Sequence, residues 1–155
     1  MEAKIILVDT PTRAMWRAIA EPIARYNEAR VGQAGNHLPL VIALEGFDHN
    51  EVVGGLWATT AYANLHIELM FIPEPLRNKG LGTRLLHLAE QEAIRRGCHC
   101  ARVEAYSFGA LGFYENRGYS RFGELQDCPV GHSLLFLQKT LMALNSTGGA
   151  PRKVV

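Results

Sequence analysis

The chain has 155 residues, 48% of them hydrophobic and 20% charged, with a formal net charge of +1. That is one domain's length with enough apolar content for a core. There is no basic tract to follow a nucleic-acid backbone, and no apolar run approaches the roughly 20 residues of a membrane span.

Three cysteines, Cys98, Cys100 and Cys128, cannot make a paired disulfide framework, which fits a reducing compartment. The N-terminal run lacks the small-residue cleavage site of a secretory signal, so a cytoplasmic location is expected. Cys98-His99-Cys100 lacks the second ligand pair of a structural zinc site, and no metal is expected.

Glu2–Val8 reads as a first strand. Pro11 then opens a helical pattern in which Met15, Trp16, Ile19, Ile23 and Tyr26 recur at helical spacing. Pro22 interrupts it, leaving one kinked helix or two short ones. After a loop at 32–38 come Leu40–Leu44, a turn at Gly46–Asn50, Val52–Thr60 and Leu65–Ile72, which read as antiparallel strands joined by hairpins.

From Gly80 to Arg96 the residues Leu81, Leu85, Leu88, Ala89 and Ala93 share one helix face, with Arg84, Glu90, Gln91 and Arg95 expected in solvent. Cys100–Tyr106 is the next strand and Ala110–Arg117 a short helix that Gly118 can end. Tyr119–Leu125 and Ser133–Gln138 complete about seven strands. One domain is expected over 1–144, with a mobile tail over 145–155.

Arg77-Asn78-Lys79-Gly80-Leu81-Gly82-Thr83 lies where a strand feeds a glycine-bearing turn that opens a helix. The first turn of a helix carries unpaired N–H groups and the positive end of the macrodipole. Two glycines leave those donors accessible, and Arg77 and Lys79 add charge, so the stretch reads as a phosphate site. It is no P-loop, because Gly-x4-Gly-Lys-Ser/Thr is missing, and no dinucleotide fingerprint, because Leu85 stands where the third glycine belongs.

Arg-x-x-Gly-x-Gly after a strand resembles the diphosphate-binding motif of the GNAT family of N-acetyltransferases. Gly112-Phe113-Tyr114-Glu115-Asn116-Arg117-Gly118-Tyr119 is similar to that family's later signature. The resemblance implies an α+β acyl-CoA N-acyltransferase fold, a central mixed sheet with flanking helices and splayed parallel fourth and fifth strands. It also implies an enzyme moving the acetyl group of acetyl-CoA to a primary amine in a ternary complex.

Under that resemblance, backbone groups of Met70, Phe71 and Ile72 would pair with the pantetheine arm. Arg77, Asn78, Lys79, Gly80, Leu81, Gly82 and Thr83 would hold the diphosphate. Tyr114 corresponds to the family tyrosine that faces the thioester sulfur, and it is the candidate general acid and a cofactor contact. A phenol with pKa about 10 suits a leaving thiolate. Glu68 and Glu104 are the candidate bases; simple alternation would put Glu68 on one face with His66 and Met70. His66 and His132 read as structural.

The family's asparagine after the fifth strand is missing from Tyr106-Ser107-Phe108-Gly109. Ser107 could substitute as a donor to the cofactor, and Phe108 could pack across the cleft. The acceptor pocket is expected between residues 16–30 and 123–133, where Tyr26, Glu28, Glu124 and Asp127 would suit a cationic small-molecule amine. A protein lysine or N-terminus as acceptor, or a non-catalytic acyl-CoA sensor, are the alternatives. A homodimer would fit the family's habit, although no residue pattern demonstrates one.

Overall fold

The computed structural model describes residues 3–46 and 51–142. The chain groups into two compact units, Met1–Gly35 and Asn36–Val155. Among the described residues no helix is long and apolar enough to cross a membrane.

In the first unit, α1 spans Arg13–Val31. The Thr12 side chain caps it by accepting the Met15 N–H, and Gly32, in the left-handed conformation, ends it by donating its N–H to Glu28 O at 2.8 Å. Pro22 sits inside one continuous helix, so the two-helix alternative is not realised. Residues 3–8 form no strand, contrary to expectation. Ile5 and Leu7 are almost fully exposed, and an apolar run becomes a strand only when a ladder takes up its N–H and C=O groups.

The second unit is built on a six-stranded sheet in the order β1-β2-β3-β4-β6-β5. The strands are β1 Leu38–Glu45, β2 Val52–Ala61, β3 Asn64–Phe71, β4 Cys100–Tyr106, β5 Ser120–Gln126 and β6 Ser133–Thr140. Among the described residues the count is six, not seven, because residues 3–8 form no strand. The expected turn at 46–50 falls largely on 47–50, outside the described residues, as does the expected tail from Asn145. Every neighbouring pair is antiparallel except β3 and β4, which the crossover through α2 (Leu81–Arg95) makes parallel.

The core lies between α2 and one sheet face. Leu56 and Ala58 of β2, Leu65 and Ile67 of β3, Ala101 and Val103 of β4, and Leu135 and Leu137 of β6 alternate inward. On α2 the buried set is Gly82, Leu85, Leu86, Ala89, Glu90 and Ala93. The expected stripe was therefore rotated: Leu88 is exposed, Leu86 is in the core, and Glu90 is buried instead of solvated. Alanines at 58, 89, 93 and 101, each with no exposed surface, let helix and sheet approach closely.

Glu90 is tolerated in that core because it is fully paired. Lys139 Nζ donates to both of its carboxylate oxygens at 2.8 Å, and the Tyr119 hydroxyl donates to Oε1 at 3.0 Å. A buried carboxylate without such partners would cost several kcal/mol.

Candidate active site

Two local interruptions open the sheet at the point that matters. The parallel ladder runs from Asn64↔Cys100 to Ile67↔Val103 and stops there. Beyond it, β3 stays paired to β2 as far as Phe71, while β4 stays paired to β6 as far as Tyr106. From Glu68 onward the two parallel strands therefore diverge, and the β4-facing edge of β3 is left without its ladder partner.

The second interruption is a β-bulge. Trp57 pairs with Leu69 and Ala58 with Ile67, so Glu68 is the extra residue. A bulge resets the alternation beyond it. Met70, opposite Leu56, joins the core face with Leu65 and Ile67, whereas simple alternation had placed it with Glu68 and His66. Glu68 itself is exposed, and its Oε1 accepts the Thr59 hydroxyl proton at 2.5 Å.

A groove of about 420 Å³ lies along the diverging end of β3. Met70, Phe71 and Ile72 line it, as do Arg77, Gly82 and Phe113. The chain leaves β3 through a single 3₁₀ turn at Glu74–Leu76, then passes Asn78 and Gly80, both at positive φ (60° and 76°). Glycine adopts that conformation at no steric cost, and asparagine more easily than most residues. The α2 ladder opens with Arg84 N–H donating to Gly80 O at 3.1 Å. The N–H groups of Leu81, Gly82 and Thr83 precede that ladder and are left for an anion.

The two glycines act differently. Gly80 permits a left-handed N-cap and has open space around it. Gly82 permits packing: a Cβ there would lie 3.0 Å from Phe113 Cε2 and 3.3 Å from Ile72 Cδ1. Arg77, Lys79 and Thr83 are exposed at the same turn, and Arg77 Nε donates to Ile72 O at 2.9 Å. Of the expected diphosphate set, the structure thus brings Arg77 and Gly82 to the groove wall and keeps 78–81 and 83 on the turn beside it.

Tyr114 lies in α3 (Leu111–Glu115), one residue past the groove-lining Phe113, with only 5% of its surface exposed. Its ring meets Phe113 and Tyr119 edge-on, at 5.1 and 5.6 Å between centroids. Burial pushes its phenol up to about 12. Tyr119 is raised further, by burial first and then by the Glu90 carboxylate.

The two candidate bases differ in their commitments. Glu104 is held on both oxygens: His66 Nε2–H donates to Oε2 and Arg102 Nη1 to Oε1, each at 2.8 Å. His66 faces Arg102 across the parallel ladder. Glu68 has one hydroxyl partner at the bulge where the strands part.

Ser107 is turned elsewhere. Its Oγ accepts the Ser133 N–H at 3.1 Å, and the groove wall beside it comes from Gly109 and Ala110. Phe108 does not cross the cleft; it stacks on Tyr106 at 5.1 Å and meets His132 edge-on at 4.8 Å.

Ser107, Glu124, Asp127 and His132 line a separate polar recess of about 330 Å³ at the end of the β5–β6 hairpin. There Glu124 accepts the Ser133 hydroxyl proton, and Asp127 accepts the Gly131 N–H. Tyr26 and Glu28 belong to the first unit, where Arg30 lies 5.1 Å over the Tyr26 ring and Glu28 accepts the Gly35 N–H.

Arg117, absent from the expected set, contacts Thr83 in the first turn of α2. Its Nε donates to Thr83 Oγ1 at 3.1 Å, its Nη2 donates to the same oxygen, and its Nη1 donates to Phe113 O at 2.8 Å. Its guanidinium carbon lies 3.8 Å from the centre of the Phe113 ring. A basic residue after the Phe-Tyr pair was visible in the sequence, but nothing local tied it to a residue 34 positions earlier.

Residues 8–119 match the model of the acetyltransferase (GNAT) family. The acetyltransferase Atu2258 of Agrobacterium fabrum is 36% identical over 134 residues, covering 86% of this chain and 96% of that protein. The blasticidin-S acetyltransferase of Streptomyces morookaense is 35% identical over 95 residues, 61% of this chain and 70% of that protein. A crystal structure of an acetyltransferase from Bacillus cereus superposes with a TM-score of 0.74 at 28% identity, covering 88% of this chain and 98% of that one.

Proposed function

The chain belongs to the acetyltransferase (GNAT) family, and on that premise we propose that it transfers the acetyl group of acetyl-CoA to the primary amine of a small molecule. The observation that carries this reading is the groove at the β3–β4 divergence, lined by Arg77 and Gly82 of the donor-rich turn that opens α2. Diphosphate would sit on the N–H groups of 81–83 with Arg77 and Lys79 beside it, and pantetheine would run along the unpaired edge of Met70–Ile72.

Glu68 is the base in this reading. It sits where the strands part and keeps one oxygen free of the Thr59 contact, whereas Glu104 is neutralised by Arg102 and braces His66. The amine nitrogen attacks the thioester carbonyl, Glu68 takes the nitrogen's proton as the C–N bond forms, and the C–S bond breaks. Holding both reactants in the groove supplies much of the acceleration, because thioesters are already reactive.

Tyr114 serves the leaving sulfur by hydrogen bonding. A phenol at about 12 facing a thiol near 8.5 makes complete proton transfer uphill by at most about 5 kcal/mol. The hydroxyl therefore stabilises the developing thiolate, and solvent completes the protonation. The small-molecule acceptor is supported by the blasticidin-S acetyltransferase relative. We place the acceptor's charged flank at the recess of Glu124 and Asp127, which favours a cation.

Thermal-shift titration with CoA and acetyl-CoA, followed by thiol release across aminonucleosides, aminoglycosides, polyamines and peptides, tests the proposal. Stabilisation by both nucleotides and turnover with a cationic small amine are expected. No affinity for CoA, or turnover confined to peptides, would overturn it.

A further inference from the structure

Thr83 occupies the first turn of α2, among the N–H groups that precede the helical ladder. A threonine hydroxyl has one proton to give and two lone pairs to fill. Arg117 directs two N–H groups, Nε and Nη2, at that one oxygen. The acceptor capacity of Thr83 Oγ1 is thereby used up, and among the described residues its own proton goes to no protein acceptor. The side chain is exposed on the turn.

We propose that Arg117 is a positioning residue for the phosphate end of the cofactor: it converts Thr83 into an obligate, charge-polarised donor aimed at the diphosphate. Three of its five guanidinium N–H groups are used inside the protein, two on Thr83 and one on Phe113 O, and the guanidinium lies over the Phe113 ring. Its cation strengthens the Thr83 O–H as a donor, as charge assistance does generally. It also ties α3, which carries Tyr114, to the turn of α2.

The inference rests on the acetyl-CoA reading and deepens it, so its test must separate the two. The probes are CoA and acetyl-pantetheine, a donor with the same thioester and no phosphate. Arg117→Met and Thr83→Val are each expected to weaken CoA binding about tenfold and to raise KM for acetyl-CoA, with kcat little changed. Thr83→Ser should keep wild-type affinity. The double variant should bind CoA no more weakly than Thr83→Val alone, because Arg117 acts through the hydroxyl which that substitution already removes. Any loss of turnover with acetyl-pantetheine should be clearly smaller than the loss with acetyl-CoA in each of them.

CoA affinity within twofold of wild type in Thr83→Val would overturn the inference. So would an equal loss with acetyl-pantetheine, which marks structural damage instead. Failure of the wild-type protein to bind CoA would sink the underlying reading and this inference with it, and that outcome is read before any variant is made.

Discussion

Gly82 of α2 and Phe113 of α3 pack closely enough that a Cβ on the glycine would lie 3.0 Å from the ring, so a larger side chain there must displace it. Arg117 lies over the same ring, 3.8 Å from its centre. Gly82→Val should therefore push Phe113 or Ile72 into the groove and weaken CoA binding by at least tenfold, measured by calorimetry. Gly80→Ala acts differently. It strains a backbone at φ 76° and should cost about 1 kcal/mol of stability in urea denaturation, with a smaller effect on CoA affinity.

Removal of the Tyr114 hydroxyl should reach the chemical step and little else. Tyr114→Phe is expected to lower kcat by about 10²-fold while KM for acetyl-CoA stays within twofold. Because burial holds this phenol at about 12, it stays protonated through pH 6–9. The pH profile of the variant should keep the wild-type shape over that range. A basic limb that disappears with the hydroxyl would contradict the assignment.

The same burial has a consequence for alkaline stability. An unfolded phenol ionises near 10, while folded Tyr114 does so near 12 and Tyr119 is raised in the same direction. Between those values the unfolded chain binds fewer protons than the native one, so stability falls as pH rises above 10. The contribution is fully present at pH 9 and, for Tyr114, should be about 2 kcal/mol smaller at pH 12. Unfolding midpoints at pH 9 and 11 in wild type and Tyr114→Phe would check it. A flatter dependence is expected in the variant.

The candidate bases make opposite predictions. Glu68→Gln should reduce kcat/KM for the amine by about 10²-fold with little change in melting temperature, as expected for an exposed catalytic carboxylate. Glu104→Gln should weaken the holds of His66 and Arg102 and lower stability, with a smaller loss of rate. If the larger kinetic loss falls on Glu104, the two roles must be exchanged.

Glu90 can be tested as a buried charge. Glu90→Leu alone leaves the Lys139 ammonium and the Tyr119 hydroxyl without their shared partner and should cost about 3 kcal/mol. A triple variant, Glu90→Leu with Lys139→Met and Tyr119→Phe, removes all three polar groups and should recover most of that loss. Urea denaturation of the two proteins gives the comparison.

What could be read without coordinates was local. The turn at 77–83 is legible because a strand, two glycines, basic residues and an amphipathic helix follow one another within a short stretch. The short Phe-Tyr helix ahead of Gly118 and the hairpins around β2 and β3 are legible for the same reason, because their hydrogen bonds close over a few residues, although the helix is shorter (Leu111–Glu115) than the expected Ala110–Arg117. What stayed hidden involves distant partners. The strand expected at Glu2–Val8 had suitable side chains, but no ladder took it up. Alternation along β3 gave the wrong face for Met70, because the bulge at Glu68 is a property of its pairing with β2. Glu90 looked solvated on a helical wheel until Lys139, 49 residues later, reached it. The Arg117 fork meets Thr83 across 34 residues. Local propensity and motif chemistry act over a turn or a hairpin, and a residue's charge partner is chosen only when the whole sheet and its helices close on one another.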